Sequence, residues 1–253
     1  MTVIADKSKE NYAKKLEKEK NFGKYSLKPI SESAVFAYAT AKVRMARVLT
    51  RVLKETPQQN PRLLIAPIGA GDDVAYVQHL SCDISGVDIS EDALRALAPH
   101  KIKTYVGDMQ RMDFFADNYF DIVAVPLFFH HFRRYGFDPF LKEINRVLKP
   151  GGRVVCLEPG CLYPLSWLFQ CLKGILCPES DGVEGEGPFL PSKLLRAMAR
   201  CGFKEIKFCG ASFCHNRIPM AIGKIVNSVS RPFLDMCIIK YFCWLGIFCG
   251  KKE

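Results

Sequence analysis

One stretch of the chain reads Arg62-Leu-Leu-Ile-Ala-Pro-Ile-Gly-Ala-Gly-Asp-Asp73, in which a short apolar run leads directly into a turn with two glycines. The apolar run has the length of a buried strand. Sequence compatible with a helix follows the turn as far as Leu80. Glycines between a strand and a helix let a ligand approach bare backbone at the N-terminus of the helix. We therefore expect a ligand site at this turn.

The alternation of strand and helix continues beyond the turn. Apolar runs of strand length occur at 84–88, 104–106, 120–125 and 153–157, and helix-compatible stretches lie between several of them. Strands that alternate with helices predict a parallel sheet. We therefore predict an α/β fold, in which helices flank a Rossmann-like sheet.

The flanking sequence predicts two additions to this sheet. Residues 1–56 include a lysine-rich stretch and a helix expected to begin near Ser31, so we predict an N-terminal helical cap there. Residues 57–253 form the predicted main domain. Within it, residues 160–191 interrupt the alternation with an apolar portion and a Gly- and Glu-rich portion. This segment predicts a lid insertion after the fifth strand.

Two carboxylates stand at the ends of predicted strands. Asp88 closes the second strand, where its carboxylate, expected to be exposed, can accept hydrogen bonds from both hydroxyls of a ribose. Asp108 follows the third strand, where a carboxylate can accept a hydrogen bond from an adenine amine. Ligands of open α/β sheets bind at the carboxyl ends of the strands. Together with the glycine turn, these positions predict a slot for adenosine.

A dinucleotide is the main alternative ligand for this arrangement. Its fingerprint requires a third glycine five positions after the first, and this chain has Val74 there. The short turn suits a cofactor without a pyrophosphate, such as a sulfonium nucleoside.

The segment from Leu63 to Glu158 resembles the class I S-adenosylmethionine-dependent methyltransferases. Three stretches resemble the family's cofactor motifs, namely the glycine motif Leu64-Ile-Ala-Pro-Ile-Gly-Ala-Gly-Asp-Asp73, the acidic motif Gly86-Val-Asp-Ile-Ser-Glu-Asp-Ala-Leu94 and the adenine motif Gly107-Asp-Met109. The stretches 120–123, 127–132 and 143–155 resemble the family's fourth strand, the loop after it, and its next helix, turn and fifth strand. The resemblance implies a seven-stranded sheet whose last strand is antiparallel, here expected over 244–249. It also implies S-adenosylmethionine as cofactor, S-adenosylhomocysteine as product, and a cofactor site made of Ile68, Gly69, Ala70, Gly71, Asp73, Asp88, Ile89, Gly107, Asp108, Met109 and Pro126.

One position departs from the family's pattern. The family usually has an acidic residue two positions before the first glycine, near the amino group of the cofactor, and this chain has Pro67 there. We expect Asp72 or Asp73 to compensate.

The acceptor side is predicted from the loop after the fourth strand and from the two additions. A neutral histidine is the natural proton acceptor, and the loop contains His130 and His131, whose rings are expected to point in different directions. We favour His131 as the catalytic base and keep His130 as the second candidate; a structural role for either stays open. The candidate substrate-binding residues are Tyr25, Tyr38, Phe129, Glu158, Tyr163 and Trp167. Packing is the alternative for the aromatic residues, and hydrogen bonding within the loop is the alternative for Glu158.

Charge and cysteine content limit the partners. The formal net charge is +10, but many of the lysines lie in the first thirty residues among glutamates, as on a solvated helix. Ten of the eleven cysteines lie from Cys156 onward, and none forms a C-x-x-C pair. We expect free thiols, a cytoplasmic location and no metal.

The function that these features predict is transfer of a methyl group to O, C or N of a small, fairly hydrophobic or lipid-like acceptor. A methyltransferase acting on RNA or protein and a non-catalytic nucleoside-binding module are the alternatives. We expect no nucleic-acid partner, because no RNA-binding appendage is present in the sequence. The apolar stretch 236–249 leaves a weak membrane-surface contact open, and the oligomeric state also stays open.

Overall fold

The computed structural model describes residue 17 and residues 31–100, 102–165 and 187–253. A seven-stranded sheet lies at its centre. The strands are β1 Arg62–Ile65, β2 Asp83–Asp88, β3 Lys103–Val106, β4 Phe120–Pro126, β5 Leu148–Pro159, β6 Phe203–Ser212 and β7 Leu245–Lys252. Their spatial order is β3-β2-β1-β4-β5-β7-β6.

The sheet is parallel except for β7, which pairs in the antiparallel sense with both β5 and β6. The predicted Rossmann-like α/β fold and its antiparallel last strand are therefore confirmed. β7 runs three residues beyond the predicted end at Cys249, because Gly250, Lys251 and Lys252 continue its pairing with β5 and β6.

Helices cover both faces of the sheet. Their bounds are α1 Glu32–Glu55, α2 Val74–Val77, α3 Glu91–Arg95, α4 Asp138–Val147, α5 Pro191–Arg200 and α6 Met220–Ser230. The prediction of helix as far as Leu80 was wrong, because α2 is a single turn. The chain leaves it through a turn in which the amide of Leu80 donates to the carbonyl of Val77, and Asp83 already pairs with Pro61 at the start of β2.

The helix expected near Ser31 is α1. Its first turn is capped by the Ser31 hydroxyl, which accepts a hydrogen bond from the Ala34 amide at 3.2 Å. The buried face of α1 consists of apolar residues, including Ala37, Ala41, Met45 and Leu49. This face joins the core on one side of the sheet, while a phenylalanine-rich core against α4 and α5 fills the other side. The predicted division at residue 56 stays a prediction.

The ends of the predicted lid lie among the described residues, and 166–186 lie outside them. Gly160 and Phe189 form an isolated parallel bridge, which joins the two ends of the segment. The amide of Gly187 donates to the carbonyl of His130 at 3.2 Å, so the returning end also contacts the loop after β4. No helix in the described parts of the chain is long and apolar enough to cross a bilayer.

A nearly buried carboxylate ties three strands together at the amino edge of the sheet. Asp121, in β4, accepts a hydrogen bond from the Arg62 amide of β1 at 2.9 Å and pairs with the Lys149 ammonium of β5 at 2.8 Å. A buried charge that loses its partner is strongly destabilising.

We expect Lys149→Met to lower the free energy of unfolding by about 2 kcal/mol, because it removes the charged partner of the nearly buried Asp121 carboxylate. Urea denaturation of the wild-type and variant proteins measures this change. Lys142→Met, which removes an exposed lysine from α4, is the matched control. Equal stabilities for the two variants would show that the Asp121 pair carries no stability.

Candidate active site

The glycine turn after β1 has the backbone geometry that the sequence predicts. Gly69 has φ +55° and Gly71 has φ +90°, which are left-handed values that favour glycine. A Cβ at Gly71 would lie 2.1 Å from Cδ2 of Leu97, so packing also requires glycine there. A Cβ at Gly69 would meet nothing within 4 Å. The turn therefore presents bare backbone beside open space at Gly69.

Asp88 binds this turn directly. One carboxylate oxygen accepts a hydrogen bond from the Gly69 amide at 2.8 Å, and the other accepts from the Ser90 amide at 2.9 Å. The expectation of an exposed side chain was wrong, since Asp88 is only 8% exposed. The backbone hydrogen bonds explain the burial, because they replace water around a charged group. Asp88 therefore has a structural role besides any contact with a ligand.

The third predicted element lies against the same residue. The amide of Gly107 donates to the main-chain carbonyl of Asp88 at 2.9 Å. The Asp108 carboxylate accepts from the Gln110 amide at 2.9 Å, which closes a tight turn after β3. The structure thus brings the glycine turn, Asp88 and the Gly107–Asp108 turn together at one edge of the sheet.

The remaining predicted cofactor residues differ in how exposed they are to a ligand. The side chains of Ile68 and Met109 are buried in the core, so only their backbone faces the turns. Ala70 is exposed, Ile89 is half-buried, and Pro126 is the buried last residue of β4. The cofactor contacts themselves stay a prediction.

Asp73 is paired with a lysine of α1. Its carboxylate lies 3.2 Å from the Lys42 ammonium, which also lies over the ring of Tyr76. Burial raises the pKa of Asp73, and the charge of Lys42 partly opposes that rise. Asp72 is exposed. The sequence analysis missed Lys42, because a lysine within a helical pattern carries no signal of its partner.

Glu158 holds the loop that follows β4. Its carboxylate accepts hydrogen bonds from the amides of Phe128, Phe129 and His130 at 2.7, 2.6 and 3.1 Å, and the side chain is only 1% exposed. These amides begin a short 3₁₀ helix, Phe129–Phe132, whose N-terminus favours a negative charge. This geometry favours hydrogen bonding within the loop, the alternative that the sequence left open, over a direct substrate contact.

The same carboxylate orients His130. Nδ1 of His130 lies 3.0 Å from Oε2 of Glu158, and the histidine side chain is 20% exposed. An ionised carboxylate can only accept, so it selects the tautomer with the proton on Nδ1 and leaves Nε2 as an acceptor. The rings of His130 and His131 are 4.2 Å apart, so the expectation that they point in different directions was wrong.

The five aromatic residues among the predicted substrate residues divide into three groups. Tyr25 and Trp167 lie outside the described residues. Phe129 is fully buried and packs on Phe137 and Phe140, so the structure places it in the core and not in a pocket wall. Its burial follows from the capped 3₁₀ helix, which turns this ring under the sheet. Tyr38 and Tyr163 belong to an aromatic cluster at the carboxyl edge of the sheet.

This aromatic cluster also contains His215 and Trp244. Tyr163 stacks on His215 at 5.5 Å, and Tyr38 packs on Trp244 at 5.0 Å. The Tyr163 hydroxyl donates to the carbonyl of Phe213, and burial raises the pKa of Tyr163 to about 12. No group of three or more potential ligands for a metal occurs in the described part of the chain.

Comparison with known proteins identifies the domain. Residues 66–156 match the family model described as a methyltransferase domain. The match assigns a methyltransferase domain to this segment of the chain. The predicted resemblance is therefore confirmed over the segment that carries the glycine turn, Asp88, Asp108 and the two histidines.

Curated relatives match only part of the chain. A demethylmenaquinone methyltransferase of Staphylococcus saprophyticus is 38% identical over 97 residues, which are 36% of this chain and 40% of the relative. The enzyme of the same name from Staphylococcus aureus is 38% identical over 81 residues, or 32% of its length. The chain thus matches less than half the length of these relatives.

Solved structures show the same fold over most of the chain. An S-adenosylmethionine-dependent methyltransferase of Thermotoga maritima is 16% identical and covers 87% of this chain and 91% of its own, with a TM-score of 0.61. Phosphoethanolamine N-methyltransferase 2 of Haemonchus contortus, in complex with S-adenosyl-L-methionine, is 17% identical and covers 83% of this chain and 52% of its own, with a TM-score of 0.56. The cyclase SpnF, at 18% identity over 82% of this chain and 80% of its own, has a TM-score of 0.54.

The buried imidazole of His215 generates a pH prediction. Burial, together with the charge of Arg217, lowers its pKa from 6.5 to about 4. Because the folded-state pKa is below the unfolded one, protonation favours the unfolded chain. Its contribution to stability is complete above pH 6.5 and is lost as the pH falls toward 4.

We expect the wild-type protein to lose about 1–2 kcal/mol more stability than His215→Gln between about pH 7 and pH 4.5, after allowance for solvent screening. Urea denaturation at several pH values measures the difference. Parallel pH profiles for the two proteins would show that His215 does not titrate with a lowered pKa.

Proposed function

We propose that this chain binds S-adenosylmethionine and transfers its methyl group to O, C or N of a small, hydrophobic or lipid-like acceptor in the cytoplasm. The observation that carries the proposal is the convergence of three strand-end elements on Asp88. The methyltransferase family match over these residues supports the chemistry. The fold alone does not, because the similar structure SpnF is named a cyclase.

The residues around Asp88 fit an adenosine-bearing cofactor. A carboxylate can accept about four hydrogen bonds, so the two backbone amides that bind the Asp88 carboxylate leave acceptor positions for a ligand. The hydroxyls of a ribose are suitable donors for these positions. The open space beside Gly69 allows the cofactor to approach the backbone. The Gly107–Asp108 turn would border the adenine. The bound cofactor supplies an activated methyl group on a positively charged sulfur.

His130 is the better proton acceptor of the two histidines. Its hydrogen bond to Glu158 fixes both the ring and the tautomer, so that Nε2 can take the proton that the acceptor loses on methylation. Glu158 then stabilises the resulting imidazolium, as a buried carboxylate does in hydrolase triads. This assignment replaces the initial preference for His131. Glu158 is a positioning residue in this proposal.

The acceptor side supports an apolar substrate. Tyr38, Tyr163 and Trp244 place aromatic side chains at the carboxyl edge of the sheet, where ligands of such folds bind. Tyr163 and Trp244 are buried there, and Tyr38 is half-buried. The curated relatives are named for demethylmenaquinone, which is a hydrophobic quinone. We therefore propose a quinone-like or other lipid-like molecule over RNA or protein.

The direct test is incubation of the purified protein with methyl-labelled S-adenosylmethionine and reduced demethylmenaquinone, with a total lipid extract in parallel. Label in an organic-soluble product, identified by mass, would support the proposal. Label in RNA or protein would instead support a macromolecular substrate. Cofactor binding without turnover on any acceptor would support the non-catalytic module.

Asp88→Asn tests the cofactor site without removing volume. We expect affinity for S-adenosylmethionine to fall about 30-fold, because hydrogen bonds to a charged group contribute about 2 kcal/mol. Isothermal titration calorimetry measures the affinity, and thermal unfolding checks the fold. Asp92→Asn, at an exposed carboxylate of α3, is the control. Unchanged affinity in Asp88→Asn would refute the site.

His130→Gln tests the proton acceptor. We expect turnover to fall by at least about 100-fold, while affinity for S-adenosylmethionine changes little. Glu158→Gln should lower turnover and also shift the pH–rate profile, because the carboxylate no longer stabilises the protonated ring. His131→Gln is the neighbouring control. A larger loss in His131→Gln than in His130→Gln would reverse the assignment.

A further inference from the structure

An unusual apolar surface lies on the segment between β6 and β7. Seven large apolar side chains that are at least two-fifths exposed occur within 222–242, namely Ile222, Ile225, Val229, Phe233, Met236, Ile238 and Phe242. Five others reach the same exposure in the rest of the described chain. Contiguous exposed apolar surface on a soluble protein usually marks an interaction site.

The packing of α6 explains why these side chains face outward. Gly223 is the only buried residue of this helix, and a Cβ there would lie 2.8 Å from Sγ of Cys214. The glycine face therefore contacts the protein. Ile222, Ile225 and Val229 follow the spacing of one helical stripe and are exposed by 53%, 65% and 64%. The helix thus presents its apolar stripe to the surroundings.

Basic side chains border this apolar surface. Between residues 213 and 243 the chain has four lysines or arginines, at 217, 224, 231 and 240, and a single acidic residue, Asp235. Asp235 is paired with Arg44 of α1 at 2.5 Å. An apolar stripe with basic neighbours is the pattern of helices that lie in the surface of an anionic membrane.

A groove between α1 and α6 joins the two features. It has a volume of about 260 Å³ and is lined by Phe36, Val43, Arg44, Arg47, Asn227 and Arg231, among others. Guanidinium groups bind phosphate well, and the apolar walls suit the glycerol and upper acyl region of a lipid. Arg47 and Arg231 are both exposed at its rim.

We propose that this face, formed by residues 222–242 with the groove against α1, docks on an anionic phospholipid bilayer. The apolar side chains would enter the boundary between headgroups and acyl chains, while Arg47 and Arg231 contact lipid phosphates. The charge balance favours this occupant over a second copy of the chain, which would bring two basic rims together. The proposal does not depend on methyl transfer.

The test is co-sedimentation of the full chain with phosphatidylcholine vesicles that either contain or lack about one-third phosphatidylglycerol. We expect binding to the anionic vesicles, weakened by high salt, and little binding to neutral ones. Arg47→Gln with Arg231→Gln should weaken binding about 30-fold, because each basic residue near an anionic surface contributes about fivefold. Ile225→Glu should weaken binding at least tenfold.

Lys103→Gln with Lys142→Gln removes the same charge at sites far from this face and is the matched control, with an expected change below threefold. Equal losses in both double variants would overturn the proposal, since net charge alone would explain binding. Absence of vesicle binding, with a change of oligomeric state in Ile225→Glu by light scattering, would show a self-association surface instead. Calorimetry with S-adenosylmethionine on every variant keeps this outcome separate from the cofactor site.

Discussion

The arrangement of the candidate site depends on one buried carboxylate at the end of β2. Asp88 accepts hydrogen bonds from Gly69 and Ser90 through its side chain and from Gly107 through its main-chain carbonyl. Asp88 therefore joins the end of β2 to two turns that are distant in sequence, one at Gly69 and one at Gly107. A carboxylate at this position can shape the turns and also recognise a ligand that approaches them. Both roles need a charge held with few competing water molecules.

A second buried carboxylate organises the loop after β4, which carries the two histidines. Glu158, at the end of β5, binds three consecutive amides of the loop after β4 and one ring nitrogen of His130. The proposed base is thus oriented by the loop's own capping residue. One side chain fixes the loop, the ring and the tautomer together, which is why we treat Glu158 as more than a structural cap.

The sequence was most informative where local chemistry determines structure. The alternation of strands and helices predicted the sheet, and the glycines and strand-end carboxylates predicted which turns would meet. Burial was harder to foresee, because the exposed fraction of Asp88 and the core position of Phe129 depend on partners that are distant along the chain. The pairing of Lys42 with Asp73 and the orientation of His130 by Glu158 are also tertiary contacts. No periodicity or motif indicates them.

The aromatic cluster and the proposed docking face are adjacent in the chain, and this adjacency bears on how an apolar acceptor could arrive. His215 of the aromatic cluster stands five residues before the first residue of α6, and Trp244 stands two residues after Phe242. The apolar segment thus begins and ends at the aromatic cluster. A lipid-like acceptor has a low concentration in water, so an enzyme gains by meeting it at a membrane surface. Seating α6 in that surface would bring both ends of the segment, and the cluster that joins them, toward the lipid.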